Sequence, residues 1–457
     1  MEAGKEASND VATTLARASA PGALPFLGHS LRLAKKPLEF LRSLPAYGDL
    51  VEIRLGPRTA YIPCTPELTH QVLIDNDTFD KVGPGMGKVY GALGREGVGT
   101  CPYRAHRRQR GLLQPAFNRT HLAHYSKAMT SEIAGAMESW RDGQVIDVPG
   151  QMHALTTRVT ARALFASSAK ASDAAELQGL VEVLLLGMVQ RLVLPLPFLD
   201  KIPTPANRRF VRAQRRLREI TSQSLADYRD AGIRDGDLLS VLFTARDSDG
   251  QPLSGTEVHD NVVTFLLAGT ETAATALSWA WHLLGEHPAV RDELHAEVDS
   301  VLAGRPARYE DLPQLKVVSR IITESLRIRP PAWLLSRMTT AEIELAGRRI
   351  PAGSPILCSV YLMHHLPDVF QDPDRFDPDR WLDHGAASLP RGAHTPFGVG
   401  TRKCIGDMFA MNETVMALAS VATRWQLDPV PGVTVRPIPR FVLAPHPLPM
   451  RLQQRRP

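Results

Sequence analysis

The chain has 457 residues, and its 53 basic and 48 acidic side chains leave a formal net charge of only +5 at pH 7. Apolar residues make up 44% of the sequence and charged residues 22%, the balance of an ordinary globular protein, which excludes wholesale disorder, collagen and coiled coil. Because the basic side chains are scattered among acidic ones, we do not expect a nucleic-acid partner.

The four cysteines, at positions 64, 101, 358 and 404, are too few and too dispersed for a disulfide framework or a zinc site. We therefore expect a cytoplasmic protein. The N-terminal segment lacks the apolar stretch of a signal peptide, and no apolar run is long enough to predict a transmembrane segment. Residues 1–20 are expected to form a flexible tail, and residues 21–457 a single large domain, because no repeat or linker interrupts them.

The predicted elements begin with a β-hairpin. Apolar and polar residues alternate over residues 49–62 on both sides of Gly56-Pro57, the pattern of two antiparallel strands joined by a turn. Segment 84–100 is rich in glycine and segment 192–206 in proline, so both are predicted to be loops. Loops of this length in enzymes often border a substrate cavity.

The longest predicted helix runs from Ser254 to about His287. Ser254 and Glu257 have the spacing of a capping box, and a proline follows His287. Further elements are predicted in chain order: helices over 288–302 and 312–329, a hairpin over 342–357, an irregular segment over 367–402 and a helix over 406–425. The expected fold class is therefore mostly α with small β-sheets, an α+β fold.

Cys404 lies in the string Phe397-Gly-Val-Gly-Thr-Arg-Lys-Cys-Ile-Gly406, directly before the last predicted helix. A helix N-terminus with neighbouring cations favours the thiolate, which is the reactive and metal-ligating form of cysteine. The glycines permit a tight loop against a flat partner. Taken alone, such a cysteine is more often a small buried apolar residue.

The string resembles the haem-binding loop of the cytochrome P450 family, Phe-x-x-Gly-x-Arg-x-Cys-x-Gly, and matches it at every specified position. Other family features follow in the expected order over residues 20–450. The resemblance implies a P450 fold with a long central helix over the haem. It also implies that Cys404 is the axial thiolate ligand of haem b, in a loop with Phe397, Gly398, Arg402 and Gly406.

Glu324 and Arg327 form a second match. Residues three apart share one helix face, so these two can form an ion pair, which in most proteins is a solvated surface contact. In the family the pair is buried and is joined by an arginine of the irregular segment, here Arg380. The resemblance therefore implies a structural triad that holds the cysteine loop.

The third match is Ala268-Gly269-Thr270-Glu271-Thr272, in the middle of the long apolar helix. Threonines there can simply bond back to carbonyls one turn earlier, but this does not account for a carboxylate in an apolar helix. The resemblance implies that Ala268 and Gly269 leave room for oxygen, and that Glu271 and Thr272 deliver protons.

The haem propionates need cations. His106 and Arg110 are four residues apart and match the family's propionate-binding pair, with Arg337 as the usual third contact. A basic helix is otherwise more often just solvated. Four other cations near the cysteine loop and on this basic helix are expected to form a docking patch for an acidic electron donor: Arg107, Arg108, Arg402 and Lys403.

The resemblance implies a monooxygenase that uses O2 and two electrons from a ferredoxin and its NAD(P)H-dependent reductase, in a chain expected to be a monomer. The expected substrate is an apolar small molecule, since the residues proposed to line the cavity are mostly apolar: Phe265, Leu266, Ala268, Trp333, Leu334, Phe441 and Val442. Each of them can equally be a core residue.

The opening residues 21–33 and the run 106–117 are similar to actinobacterial family members that oxidise sesquiterpenes, which favours a terpenoid of secondary metabolism. A fatty-acid or polyketide hydroxylase is the first alternative, with Arg95 or Arg191 available to bind a carboxylate. A haem-binding sensor without turnover is an alternative of another class, but it needs no Glu271 or Thr272. A peroxide-driven enzyme is disfavoured because family members of that kind usually replace this pair, which is intact here.

Overall fold

The structure is a computed structural model, and it describes residues 18–81, 94–165, 171–193, 202–230, 232, 237–382 and 385–455. The predicted loops over 84–100 and 192–206 therefore lie largely outside the described residues. The helices are α1 (Ser30–Lys35), α2 (Pro37–Ser43), α3 (Pro66–Ile74), α4 (Tyr103–Leu113), α5 (Arg119–Glu138), α6 (Val148–Phe165), α7 (Ala171–Val193), α8 (Pro205–Asp230), α9 (Leu238–Thr244), α10 (Gly255–Glu286), α11 (Pro288–Leu302), α12 (Lys316–Ile328), α13 (Val360–Met363) and α14 (Asp407–Ala422).

The strands are β1 (Leu50–Leu55), β2 (Arg58–Pro63), β3 (Phe79–Asp80), β4 (Val145–Asp147), β5 (Leu335–Thr339), β6 (Ile343–Leu345), β7 (Arg348–Ile350), β8 (Pro355–Cys358), β9 (Trp425–Pro429), β10 (Arg436–Pro439), β11 (Leu443–His446) and β12 (Pro449–Gln454). The mostly helical α+β class expected from the sequence is confirmed.

The described chain divides into two compact units. The first unit holds the described residues within Met1–Gly87, Trp333–Arg375 and Ala386–Lys403, and the second unit holds those within Lys88–Ala332, Phe376–Gly385 and Cys404–Pro457. The expectation of one domain over residues 21–457 stays a prediction.

The first unit is built on a five-stranded sheet with the order β1-β2-β8-β5-β3. The predicted hairpin is present: β1 and β2 are antiparallel, with Leu55 opposite Arg58 across the turn. Residues 18–20, which the sequence analysis assigned to the tail, extend this region, since the Ala20 N–H donates to the Glu52 carbonyl at 2.9 Å.

The second predicted hairpin, over 342–357, is corrected by the structure. Strands β6 and β7 do form a two-stranded antiparallel ribbon, with Ile343 opposite Ile350. Strand β8 leaves this ribbon after a turn at Gly353 and pairs with β2 and β5 instead. Its Ile356 is fully buried there, so burial in the larger sheet decides the pairing.

The second unit is organised around α10, which has 32 residues. The predicted capping box is present, because the Ser254 side chain accepts the Glu257 N–H while the Glu257 carboxylate accepts the Ser254 N–H. The helix ends at Glu286, one residue before His287. It packs against α6, α8, α11, α12 and α14, and Trp279 and Trp281 are fully buried on it.

The helices after α10 follow the prediction with two shifts at their ends. Helix α12 begins at Lys316 rather than near residue 312, because Tyr309–Asp311 form a separate 3-10 turn. Helix α14 ends at Ala422, and Trp425 begins strand β9. Among the residues that the structure describes, we find no helix with the length and hydropathy needed to cross a membrane.

Candidate active site

Cys404 lies in the second unit, in the loop immediately before α14. Of the four cysteines, all within the described part of the chain, Cys404 alone is exposed. Burial raises the pKa of the Cys64 and Cys358 thiols to about 12, so these two remain neutral. Cys404 is therefore the cysteine best placed to act as an accessible thiolate ligand.

Helix α4 presents His106 and Arg110 on one face of the second unit. His106 is buried, and Arg110 is partly buried. Burial lowers the pKa of the Arg110 guanidinium, and the nearby Cys404 and Asp407 oppose this shift by attraction. A cation thus lies close to the sulfur and to the first residue of α14, which favours negative charge in this region.

Phe117 connects the cysteine loop with the long helix. Its ring centroid is 5.8 Å from that of Phe265 on α10. A Cβ atom placed on Gly406 would lie 3.6 Å from Phe117 Cε1. The middle of α10 and the residues around Cys404 therefore share one aromatic neighbour, which the sequence analysis did not single out.

The middle of α10 contains an accessible turn between buried stretches of the helix. Ala268 is exposed, and Gly269, Glu271 and Thr272 are partly exposed, whereas Leu267 is buried. The Thr272 hydroxyl donates to the Ala268 carbonyl at 2.7 Å, the back-bonding expected of a threonine in a helix. The predicted stretch thus presents a carboxylate and a hydroxyl on a locally accessible turn.

Helix α6 packs tightly against this turn. The Thr156 hydroxyl donates to the Thr270 carbonyl at 2.8 Å. A Cβ atom on Gly269 would lie 3.0 Å from Thr160 Oγ1, a tighter contact than side chains normally make. Gly269 therefore serves the close approach of two helices, a role that the sequence analysis did not assign to it.

Glu271 forms an ion-pair contact with a residue that the sequence analysis missed. Its Oε2 atom is 3.0 Å from Nε2 of His153 on α6. His153, Thr156 and Thr160 are spaced three and four residues apart, so the sequence alone indicates that they share one face of a helix.

The structure brings Glu324, Arg327 and Arg380 together. Arg327 donates to both carboxylate oxygens of Glu324, at 2.9 and 2.7 Å, and Arg380 Nε lies 3.4 Å from the same carboxylate. The pair is fully buried. Two further donors were not predicted: Trp381 Nε1 at 2.8 Å and the Asp377 N–H at 3.2 Å.

Phe397, Gly398 and Arg402 of the predicted haem loop belong to the first unit, as does Arg337, whereas Gly406 belongs to the second. Gly398 and Gly400 adopt φ angles of +69° and +73°, which favour glycine, and a Cβ on Gly400 would lie 3.0 Å from Ile74 Cα. Phe397 is partly buried. Arg337 is buried in β5, where its Nη1 donates to the Ser336 carbonyl at 3.0 Å.

Two arginines of the expected docking patch are engaged in ion pairs within the chain, which corrects the expectation that both are available to a partner. The Arg402 side chain is only 4% exposed and lies 2.6 Å from Asp80 within the first unit. In the second unit, Arg108 pairs with Asp247 at 2.7 Å and with Glu257 at 2.9 Å. Both guanidinium groups are thus held in intramolecular ion pairs, with partners distant in sequence.

The residues proposed for the cavity differ in burial. Phe265, Leu266 and Val442 are buried, whereas Phe441 is 41% exposed. Trp333 and Leu334 are partly buried in the first unit, where Trp333 packs against a core cluster. The segments 84–93 and 194–199, also proposed to border the cavity, lie outside the described residues.

Comparison with known proteins defines the class. The family model for cytochrome P450 matches residues 19–453. The chain belongs to the cytochrome P450 family, and it is a monooxygenase of that family, which binds iron as haem thiolate and uses O2, redox partners and a hydrophobic substrate.

Particular relatives cover almost the whole chain. The chain is 48% identical over 434 residues to cyclooctatin synthase of Streptomyces melanosporofaciens, which covers 94% of both chains. It is 46% identical to cyclooctat-9-en-7-ol 5-monooxygenase of the same organism, over 96% of this chain and 95% of the relative. It is 42% identical to pentalenene oxygenase of Streptomyces avermitilis, over 97% of this chain and 99% of the relative.

The residues of the second unit fit a haem group. They include three groups of the kind that a haem thiolate requires: an exposed thiol at Cys404, a cation near it at Arg110, and an accessible turn of a buried helix at Ala268. Buried His106 adds a second polar group on the Arg110 face of α4.

Proposed function

We propose that this chain oxidises a terpenoid and that Cys404 binds the iron of its haem b. The observation that carries the ligand assignment is that Cys404, alone among the four cysteines, is exposed, and that it lies beside Arg110 at the start of α14. The family's haem-thiolate chemistry needs one such sulfur.

The bound haem would supply oxygen activation, and the thiolate favours O–O bond cleavage. The chain's own residues hold and orient it. We assign the propionates to His106, Arg110 and Arg337, and the loop around the sulfur to Phe397, Gly398, Arg402 and Gly406. The buried ion pair of Glu324 with Arg327, joined by Arg380, stiffens the second unit between α12 and the 376–381 segment.

Proton delivery is assigned to α10. Glu271 carries a partly exposed carboxylate on the opened turn, and Thr272 carries a hydroxyl one residue later. A carboxylate takes a proton from solvent and releases it to a neighbouring oxygen within hydrogen-bond reach. We assign the approach of oxygen and substrate to the turn at Ala268 and Gly269, where Ala268 is exposed and Gly269 also packs against Thr160 of α6.

The electrons are proposed to come from a ferredoxin and its NAD(P)H-dependent reductase, in the cytoplasm, with the chain acting as a monomer. Arg107 and Lys403 of the predicted patch are exposed. Exposed charges of this kind steer an acidic partner and set the salt dependence of its association rate.

The terpenoid proposal rests on the relatives. Three proteins that are 42–48% identical carry names that refer to cyclooctatin, cyclooctat-9-en-7-ol and pentalenene. The apolar character of Phe265, Leu266 and Val442 agrees with a substrate that offers few hydrogen-bonding groups. A fatty acid or polyketide remains the alternative substrate, and a haem-binding sensor the alternative of another class.

The ligand assignment is tested by Cys404→Ser, with Cys101→Ser as the matched control at a buried cysteine. Both proteins are purified after expression with ample haem supply, reduced and exposed to CO. We expect the control to keep the family's characteristic absorption band of the reduced CO complex and Cys404→Ser to lose it together with activity. Retention of both by Cys404→Ser would refute the assignment.

The substrate class is tested by spectral titration of the haem-loaded protein with a terpenoid panel and a fatty-acid panel. Binding of a substrate next to the haem would change the spin state of the iron, which the absorption spectrum records as a shift. We expect this shift, and hydroxylated product with a ferredoxin pair, for terpenoids. A shift with fatty acids alone would support the alternative, and product formation with neither panel would favour the sensor.

A further inference from the structure

The Glu271 carboxylate lies against a second helix. Its Oε2 atom is 3.0 Å from His153 Nε2 on α6, and the two side chains are 25% and 12% exposed. The contact is within ion-pair distance but is not aligned as a hydrogen bond, since the His153 nitrogen makes none in the described part of the chain. The imidazole is thus the more enclosed member of the pair.

Contacts between α6 and α10 hold the α6 backbone in place next to His153. Thr156, one turn further along α6, donates to the Thr270 carbonyl at 2.8 Å. Thr160, one turn beyond that, is in tight contact with Gly269. His153, Thr156 and Thr160 therefore face three consecutive residues of α10, and α6 cannot withdraw the imidazole without breaking this contact.

Glu271 lacks a comparable constraint of its own. A glutamate side chain has three rotatable bonds, and a partly exposed one samples several rotamers unless a partner selects one. The nearby Thr270 and Thr272 hydroxyls do not serve as that partner, because each donates to a carbonyl of its own helix, those of Leu266 and Ala268. On the packed helix, the His153 imidazole lies 3.0 Å from the carboxylate.

We infer that His153 is a positioning residue that holds the Glu271 carboxylate on the α6 side of the opened turn. The inference rests on the proposed function for its consequence, because Glu271 is there the group that supplies protons. A carboxylate held in one position would supply protons efficiently, so most electrons from NAD(P)H would be used to form product. A mobile carboxylate would supply them less efficiently, and a larger share of the electrons would be lost as hydrogen peroxide.

The first experiment measures product formed per NAD(P)H oxidised, using the haem-loaded protein, a ferredoxin pair and a terpenoid that the wild type accepts. We expect His153→Leu to lower this ratio about tenfold and to leave the substrate Kd unchanged, since misplacing a proton donor by about 1 Å has effects of this size or larger. His153→Gln keeps a side-chain N–H donor near the Nε2 position and should restore most of the ratio.

The control is Arg162→Leu. Arg162 lies on α6, as His153 does, but it pairs with Glu132 of α5 and not with Glu271. This variant should behave as the wild type. Glu271→Gln and the double variant with His153→Leu complete a double-mutant cycle. If His153 acts through Glu271, the double variant is no worse than Glu271→Gln. Multiplicative losses, or a wild-type ratio in His153→Leu, would overturn the inference.

A second readout does not depend on turnover. Crystal structures of the haem-loaded wild type and His153→Leu are compared at Glu271. We expect one carboxylate conformer near His153 in the wild type, and a displaced or multiply occupied side chain in the variant. An unmoved Glu271 in the variant would refute positioning. If the wild type oxidises no terpenoid, the proposed substrate fails, and these structures still decide the role of His153.

Discussion

Arg327 donates two hydrogen bonds to Glu324, at 2.9 and 2.7 Å, and neither side chain has any exposed surface. The same carboxylate accepts from Trp381 and from the Asp377 backbone. Removing one partner of such a pair leaves an uncompensated buried charge, which is far more costly than losing a surface ion pair. The pair therefore governs whether α12 and the 376–381 segment can fold together.

Arg327→Met should destabilise the protein by about 3–5 kcal/mol, because it leaves the buried Glu324 carboxylate without its two-pronged partner and with only the longer contact to Arg380, at 3.4 Å. Arg327→Lys should also be destabilising, since an ammonium cannot reproduce the two-pronged contact. The control is Arg349→Met, in an exposed contact with Glu342 3.9 Å away, and it should have almost no effect. Thermal unfolding and haem content provide the measurement, and a wild-type melting temperature in Arg327→Met would contradict the prediction.

Glu413 on α14 gives a prediction about pH. It is 1% exposed, and neither carboxylate oxygen has a hydrogen-bond partner in the part of the chain that the structure describes. Burial raises the pKa of Glu413 well above its usual value of 4.5. Above that usual value the unfolded chain releases the proton and the folded chain keeps it, so this residue lowers stability progressively as the pH rises towards the folded-state pKa.

Glu413→Gln removes the titrating carboxyl group and keeps the shape of the side chain. We expect the stability difference between Glu413→Gln and the wild type to grow in favour of the variant as the pH is raised from 4.5 to 8. The slope should approach about 1.4 kcal/mol per pH unit while the folded state holds the proton. Urea unfolding at several pH values measures it. A difference independent of pH would show that Glu413 is ionised in the folded state.

Sequence patterns predicted the local features well. The capping box at Ser254 and the turn at Gly56-Pro57 lie where expected, because each depends on residues a few positions apart. The exposure of Cys404 also agrees with a ligand that must remain accessible. The motif itself was recognisable because its spacing is fixed by one loop.

Contacts between distant segments could not be read from the sequence in the same way. Arg108 is basic and lies on a polar helix, yet Asp247, 139 residues away, binds it. His153 belongs to no recognised motif, and only the packing of α6 on α10 brings it to Glu271. Strand β8 shows the same limit, because alternation predicts a strand but not its neighbour.

Gly269 provides a test of helix packing. In Gly269→Ala the new Cβ lies 3.0 Å from Thr160 Oγ1, so α6 or the threonine must shift by a few tenths of an ångström. We expect a loss of about 1–3 kcal/mol in stability, the usual cost of overpacking. Combining it with Thr160→Ala, which removes the contacting hydroxyl, should recover much of the loss. Calorimetry of the four proteins measures the coupling, and additive effects would place the strain elsewhere.

Asn261 on α10 ties the segment 94–101 to the long helix. Its Oδ1 accepts the Val98 N–H at 2.8 Å, and its Nδ2 donates to Gln109 Oε1 at 2.9 Å and to the Glu257 carbonyl at 2.8 Å. Since Asn261 is fully buried, Asn261→Ala leaves these groups without their partner, at a cost of about 1–3 kcal/mol for a buried unsatisfied group.

Asn261→Ala should loosen the 94–101 segment in addition to lowering the stability of the whole protein. We expect amide hydrogen exchange to speed up in peptides covering residues 94–101 of Asn261→Ala, because the Val98 N–H loses its acceptor and the segment opens without the whole protein unfolding. Gln223→Ala, at an exposed contact with Asp227 on α8, is the control and should exchange like the wild type. Unchanged exchange in 94–101 of Asn261→Ala would show that other contacts hold the segment, foremost the Asp260 carboxylate that accepts the Glu96 N–H at 3.0 Å.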